Sequence, residues 1–199
     1  MIDDETIAAY NQQADAYADK FQGAASDPAL SAFIARVKPG GRVLDLGCGP
    51  ANATATMRDN GLDVDAVDAS AEMVRLASET HKITVRQATF DDIQEVDAYD
   101  GIWANFSLLH ASAADFPGHL SALYRALKPG GCFHIAMKLG TGSKRDRLGR
   151  YYSYYSQSEL SDHLTTTGFV VDHTFTGEGP GLAGHVERWI VLTTHKQPV

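Results

Sequence analysis

From residue 42 onward, short apolar runs alternate with stretches whose apolar residues recur at helical spacing. This pattern predicts an α/β fold with a mostly parallel sheet covered on both faces. RVLDLG (42–47) reads as a buried strand entering a turn, and ATATMRDNG (53–61) as a helix stopped by Gly61. VDAVD (64–68) predicts a second strand. Ser70 can cap a helix over AEMVRLASET (71–80), with Met73, Val74 and Ala77 inward and Glu72 and Glu79 outward. ITVRQATF (83–90) alternates as a third strand and YDGIWAN (99–105) supplies a fourth. A helix over 113–127 should end at LKPGG, followed by a fifth strand, CFHIAMKL (132–139). Ser156 or Ser158 can cap a helix through Thr166 that Gly168 terminates; FVVDHTFTG (169–177) and HVERWIVLTTHK (185–196) then read as β segments. Residues 1–37 hold two helical stretches, the first with Tyr10, Tyr17 and Phe21 at near-helical spacing. The expectation is a single domain over 1–199: a helical cap (1–37) over the end of a Rossmann-like core (38–199).

The junction after the first strand carries the chemistry. Val43-Leu44-Asp45-Leu46-Gly47-Cys48-Gly49-Pro50-Ala51-Asn52 runs from strand through glycine turn into helix. Glycine there lets the backbone bend sharply and lets a ligand approach closely. Asp45 near the strand's carboxyl end would repel a pyrophosphate and favour a cationic ligand. Pro50 removes an N–H that a phosphate cradle would use, and Asn52 stands where the dinucleotide fingerprint wants Gly or Ala. These three residues speak against a nicotinamide-dependent oxidoreductase. Asp68, nineteen residues after Gly49, ends the second strand, where an acid can accept from both hydroxyls of a ribose. Together they suit a nucleoside without phosphates.

Composition narrows the class further. The 199 residues are 44% hydrophobic and 21% charged, an ordinary globular balance. The net charge of −8 argues against broad phosphate-backbone binding, so no nucleic-acid partner is expected. One basic run, Lys138, Lys144, Arg145, Arg147 and Arg150, stands out; it reads either as a solvated loop or as a local pocket. No apolar run is long enough to span a bilayer, and the start MIDDETIAAY lacks the order of a signal peptide. The expected setting is cytoplasmic, away from membranes, with Cys48 and Cys132 as reduced thiols. No cysteine–histidine cluster has metal-ligand spacing, so no metal is expected.

These motifs resemble the class I S-adenosylmethionine-dependent methyltransferases. VLDLGCGPA looks like their glycine-rich first motif and VDAVDAS like the second-strand motif bearing the ribose-binding acid. QATFDDI is similar to the motif flanking the adenine, GIWANFSLLH to the fourth-strand motif, and ALKPGGCFHIAM and ELSDHLTTTGFVV to later ones. The likeness covers residues 42 to about 193. It implies a doubly wound, mostly parallel seven-stranded sheet with an antiparallel C-terminal strand, and S-adenosyl-L-methionine as cofactor, leaving S-adenosyl-L-homocysteine.

The resemblance also implies a site. Asp45 and the backbone around Gly47, Cys48 and Gly49 would hold the methionine end, and Asp68 the ribose. Ala69 and Met73 would pack on the adenine, with Thr89, Phe90 and Asp91 at its border. Ala104 and Asn105 would lie beneath the methionine moiety, and Tyr10 and Tyr17 would close over it. For Met73, Phe90, Tyr10 and Tyr17 ordinary core packing is the competing reading. Transfer from a sulfonium is an in-line displacement that a protein assists mainly by alignment. A base is needed only where the acceptor must lose a proton; His110 is the candidate, against a structural role. ANFS at the fourth strand lacks the Asn/Asp-Pro-Pro-Tyr pattern of nucleic-acid amino methylation. A small acceptor, anionic or polar, is expected, held by Lys138, Arg145, Arg147, Arg150 and Tyr151. A tRNA or protein methyltransferase, or a non-catalytic binder of the cofactor, are the rival readings; monomer and homodimer both stay open.

Overall fold

A computed structural model describes residues 3–20 and 27–198; Phe21, one of the three aromatics of the first helical stretch, lies outside them. The strands are β1 (Arg42–Leu46), β2 (Asp63–Asp68), β3 (Arg86–Gln87), β4 (Tyr99–Asn105), β5 (Leu127–Lys138), β6 (Ser143–Arg145), β7 (Tyr151–Ser153), β8 (Phe169–Pro180) and β9 (Val186–Lys196). The helices are α1 (Asp4–Lys20), α2 (Pro28–Arg36), α3 (Asn52–Asp59), α4 (Ala71–His81), α5 (Phe116–Ala126) and α6 (Gln157–Thr167). Seven strands form one sheet in the order β3-β2-β1-β4-β5-β9-β8. β1 to β5 are parallel, and β9 runs antiparallel to both of its neighbours. This is the doubly wound Rossmann-like sheet with an antiparallel last strand.

Burial explains the middle of the sheet. Val43, Leu44, Asp45 and Leu46 are all buried, as a strand covered on both faces requires. One face packs Leu44, Leu46, Ile102, Phe133 and Ile135 with Phe116, Leu120 and Leu123 of α5. Trp103 and Cys132 pack with Leu30 and Phe33 of α2 and Met57 of α3. α1 instead lies on α4, with Ala14 against Met73 and Leu76 and with Tyr10 and Tyr17 beside them. Among the described residues of the N-terminal segment, α1 covers the first cleft described below, whereas α2 packs with Val43, Trp103 and Cys132 of the sheet.

Several elements depart from the sequence pattern for local reasons. The third strand shrinks to two residues because Lys82 leaves α4 in a left-handed conformation and the chain pairs with β2 only at Arg86 and Gln87. Thr89 then caps a short 3₁₀ turn at Phe90–Asp92. Ile83 and Val85 still bury their side chains, which is why the alternation looked strand-like. α5 starts three residues late, since Pro117 belongs in its first turn. LKPGG joins β5, with a bulge between its pairings to Tyr99 and Gly101. The glycine-broken segment 138–156 contains the β6–β7 hairpin; Asp146 Oδ1 accepts from the N–H groups of Leu148 and Arg150 and fixes its turn. Ser156, with Glu159 three residues on, is the cap of α6. Among the described residues no helix is long and apolar enough to cross a membrane.

Candidate functional site

Strand order reverses between β1 and β4, and open α/β sheets bind ligands in the crevice that such a reversal leaves at the carboxyl ends. β1 delivers the chain into Gly47 (φ 73°) and Gly49 (φ 56°). The N–H groups of Gly47 and Cys48 both donate to the Val67 carbonyl, at 2.8 and 3.0 Å. A Cβ on Gly47 would stand 2.4 Å from that of Ser107, so no side chain fits there. Gly49 N–H donates to Asp68 Oδ2 at 2.8 Å and Ser70 N–H to Oδ1 at 2.9 Å. The Asp68 carboxylate thus pins the glycine turn to β2 while lining the cleft.

The resulting cleft, counted with its open mouth, encloses about 650 Å³. Gly47, Gly49, Asp68, Ala69, Met73, Phe90 and Asn105 line it, and α1 contributes Tyr10 and Tyr17. Thr6, Ile7, Leu46, Val67, Ser70, Ala88, Phe106, Ser107 and His110 complete it. Ser107 is the informative addition. Its buried hydroxyl has no hydrogen-bond partner among the described residues, and it follows Phe106, which takes a left-handed conformation (φ 57°). Nothing in the sequence marked a serine after the fourth strand as special.

Other expected members sit elsewhere. Alternation along β1 turns Leu46 to the cleft and Asp45 towards α3, where its Oδ2 accepts from Thr54 Oγ1 at 2.6 Å. Asp45 is 2% exposed, and burial pushes its carboxyl up to about 7. Direct contact between this carboxylate and a cation at the cleft mouth is not what the fold provides. Thr89 spends its hydroxyl and N–H on Asp92, both at 2.8 Å. Asp91 is half-exposed, with Oδ1 3.8 Å from His119 Nδ1. Cys48 Sγ approaches the Gly49 carbonyl at 3.5 Å, and burial raises its thiol. Ala104 is buried within β4.

A second cleft of about 1290 Å³ adjoins the first and shares Tyr10, Tyr17, Asn105, Phe106 and His110 with it. Lys138, Arg150, Tyr152, Glu187 and Trp189 form much of the remainder. The basic run is therefore split. Lys138 and Arg150 face this cleft. Arg145 grips Asp3 at 2.6 and 2.8 Å, and with Tyr151 lines a separate acidic surface cleft. Arg147 is exposed and donates to the Ala183 carbonyl at 2.8 Å.

His110 touches all three clefts. Its Nδ1 lies 2.6 Å from the Tyr151 carbonyl and its Nε2 2.8 Å from the Tyr10 hydroxyl. A carbonyl only accepts, so Nδ1 carries the proton and Nε2 accepts from Tyr10. Burial pushes the histidine down to about 3, which keeps the ring neutral. Arg150 Nη1 also donates to the Tyr10 oxygen, at 3.3 Å. No group of three His, Cys, Asp or Glu among the described residues is placed to hold a metal ion.

Comparison with known proteins agrees with this arrangement. A family model described as a methyltransferase domain matches residues 43–131. The chain is 28% identical over 127 residues to an uncharacterized methyltransferase of Staphylococcus carnosus, covering 63% of this chain and 61% of that protein. It is 36% identical over 95 residues to the malonyl-[acyl-carrier protein] O-methyltransferase of Enterobacter lignolyticus, covering 45% and 36%. The matched stretch thus spans less than two thirds of either relative. Burkholderia thailandensis 1,6-didemethyltoxoflavin-N1-methyltransferase, solved with 1,6-didemethyltoxoflavin and S-adenosylhomocysteine, superposes with a TM-score of 0.77 at 22% identity, covering 97% of this chain and 88% of that one. Residues 43–131 are a methyltransferase domain, set in a sheet of the class I type. The fold is the one that class I S-adenosylmethionine-dependent methyltransferases share.

Proposed function

We propose that the protein transfers the methyl group of S-adenosylmethionine to a small-molecule acceptor. The cofactor would occupy the first cleft and the acceptor the second. One observation carries this reading: the two clefts meet at Tyr10, Asn105, Phe106 and His110, so a ligand in each would face the other across a shared wall. The residues suit the cofactor. Ala69, Met73, Ala88 and Phe90 offer an apolar slot for a flat base, and Asp68 accepts from a diol. Ser107 has a hydroxyl still to be satisfied, and Gly47 leaves the backbone bare beside it. A bound sulfonium supplies an activated carbon and leaves as a neutral thioether, so no acid is required.

What the chain contributes is position. Asn105 is oriented by His134, whose Nε2 lies 3.1 Å from Asn105 Oδ1. Tyr10, its proton given to His110, turns oxygen lone pairs to its surroundings and can accept from an N–H or O–H of the acceptor. Asp45 acts through the turn and Thr54 as a buried negative potential. The net charge of −8 favours a small molecule over a nucleic acid. Titration calorimetry tests the reading. S-adenosylhomocysteine should bind and NAD should not; binding of NAD alone would overturn it.

A further inference from the structure

The expected anionic acceptor depended on free cations, and among the described residues the second cleft has none that is uncompensated. Lys138 Nζ is paired with Glu187. Arg150, 3% exposed, is gripped by Asp146 through Nε at 2.9 Å and Nη2 at 2.6 Å. Each cation that faces the cleft carries its own carboxylate, and Asp27 adds a further acid to the lining. An anion entering here meets ion pairs with little net field and gives up its hydration for little return. The ammonium and guanidinium nevertheless keep N–H groups beyond those spent on carboxylates. They can donate to neutral carbonyl or ring-nitrogen acceptors.

The apolar part of the cleft has a definite shape. Phe106 and Trp189 stand with ring centroids 6.5 Å apart at 90°, making a right-angled corner. Trp189 lies so close over Gly177 that a Cβ there would be 2.3 Å from its ring. The indole N–H makes no hydrogen bond among the described residues. A flat ring can stack on one face of such a corner and present its edge to the other. Across the cleft, the Tyr10 oxygen is available only as an acceptor, because its proton goes to His110. The lining therefore asks for acceptor groups towards Lys138 and Arg150 and, beside them, a donor towards the Tyr10 oxygen that Arg150 touches.

From these contacts we infer that the acceptor is an uncharged, flat heteroaromatic molecule. It carries carbonyl or ring-nitrogen groups towards Lys138 and Arg150, and the N–H or O–H to be methylated towards Tyr10. This rests on the proposed methyl transfer. The step forms the bond from the methyl carbon to the acceptor nitrogen or oxygen and breaks the carbon–sulfur bond. The acceptor's proton leaves to water, and the sulfur departs uncharged.

The test separates the two layers. The full chain is first titrated with S-adenosylhomocysteine; absence of binding overturns the methyltransferase reading itself. With that ligand saturating, nicotinamide, nicotinate and cyclohexanecarboxamide are titrated as neutral flat, anionic flat and neutral puckered probes. Nicotinamide should bind about tenfold or more tighter than either of the others. Glu187→Gln leaves Lys138 uncompensated and should shift the preference towards nicotinate by about tenfold; Trp189→Leu should weaken nicotinamide and leave S-adenosylhomocysteine unchanged. S-adenosylhomocysteine binding accompanied by tighter nicotinate, by equal binding of the puckered probe, or by no binding of nicotinamide overturns the inference.

Discussion

The Tyr10 hydroxyl donates to Nε2 of His110, 2.8 Å away, because the Tyr151 carbonyl has already claimed the histidine's only proton. A residue of the N-terminal helix is thereby locked to a turn after β4 at the meeting point of two clefts. In the proposed transfer His110 would act through Tyr10. Its neutral state, enforced by burial, makes it a poor base and a good hydrogen-bond acceptor.

Removing that hydroxyl gives the first prediction. Tyr10→Phe should lower kcat by about tenfold while S-adenosylhomocysteine affinity changes less than about threefold. His110→Gln should show the same kcat loss, since it removes the ring that holds the Tyr10 hydroxyl in place. Steady-state kinetics with calorimetry check both. A large loss of cofactor affinity with unchanged kcat would assign the pair to packing alone.

Gly47 tests the turn. Gly47→Ala forces a side chain onto a positive φ and against Ser107, so it should cost about 1–3 kcal/mol of stability and abolish cofactor binding. Denaturant unfolding and calorimetry report the two effects. Gly40 is also at positive φ but has nothing within 4 Å of a Cβ. Gly40→Ala should therefore carry the backbone strain without the loss of binding.

Asp45 predicts a pH dependence. Its carboxyl is raised from 3.8 to about 7 by burial, so the folded chain holds that proton more tightly than the unfolded one. The resulting stabilisation is complete below the ordinary value and is lost as pH rises through about 7. Between about pH 5.5 and pH 8.5 the wild type should lose Tm relative to Asp45→Asn, by roughly 3 °C or more. A bound cation favours the charged form, so cofactor affinity should rise over the same window and Asp45→Asn should flatten that rise. Scanning calorimetry and titrations at the two pH values provide the check.

The split of the basic run gives a contrast. Arg147→Glu, at an exposed position, should leave acceptor KM unchanged. Arg150→Glu should raise KM by about tenfold or more, since it breaks the Asp146 pair and the contact to Tyr10. Equal effects of the two substitutions would show that the exposed segment, and not the cleft, meets the acceptor.

The sheet was legible because its central strands are covered on both faces and read as apolar runs, and because Gly47, Gly61 and Gly168 punctuate them where the backbone turns left-handed. The edge strand was overread: Ile83 and Val85 bury themselves without pairing, and alternation records burial, not hydrogen bonds. At the site, Asp68 and the two glycines were visible from spacing alone. Asp45 was placed at the right level of β1 but on the wrong side, since which face of a strand meets the cleft depends on packing against α3. Ser107 escaped notice because a buried hydroxyl without a partner is a property of the folded chain, and Phe106 and Trp189 because their rings meet only through tertiary contact. The charge of Lys138 looked available because its carboxylate, Glu187, comes from a distant strand; Asp146 stands within the basic run, but sequence alone does not say that Arg150 is the residue it grips.

The most direct measurement is the affinity of S-adenosylhomocysteine for the full chain beside that for Asp68→Ala. One-to-one binding, weakened about a hundredfold in the variant, is the predicted result, because the carboxylate both accepts from the ligand and pins the glycine turn. Absence of binding to the wild type, or equal affinity in the two proteins, would contradict the account.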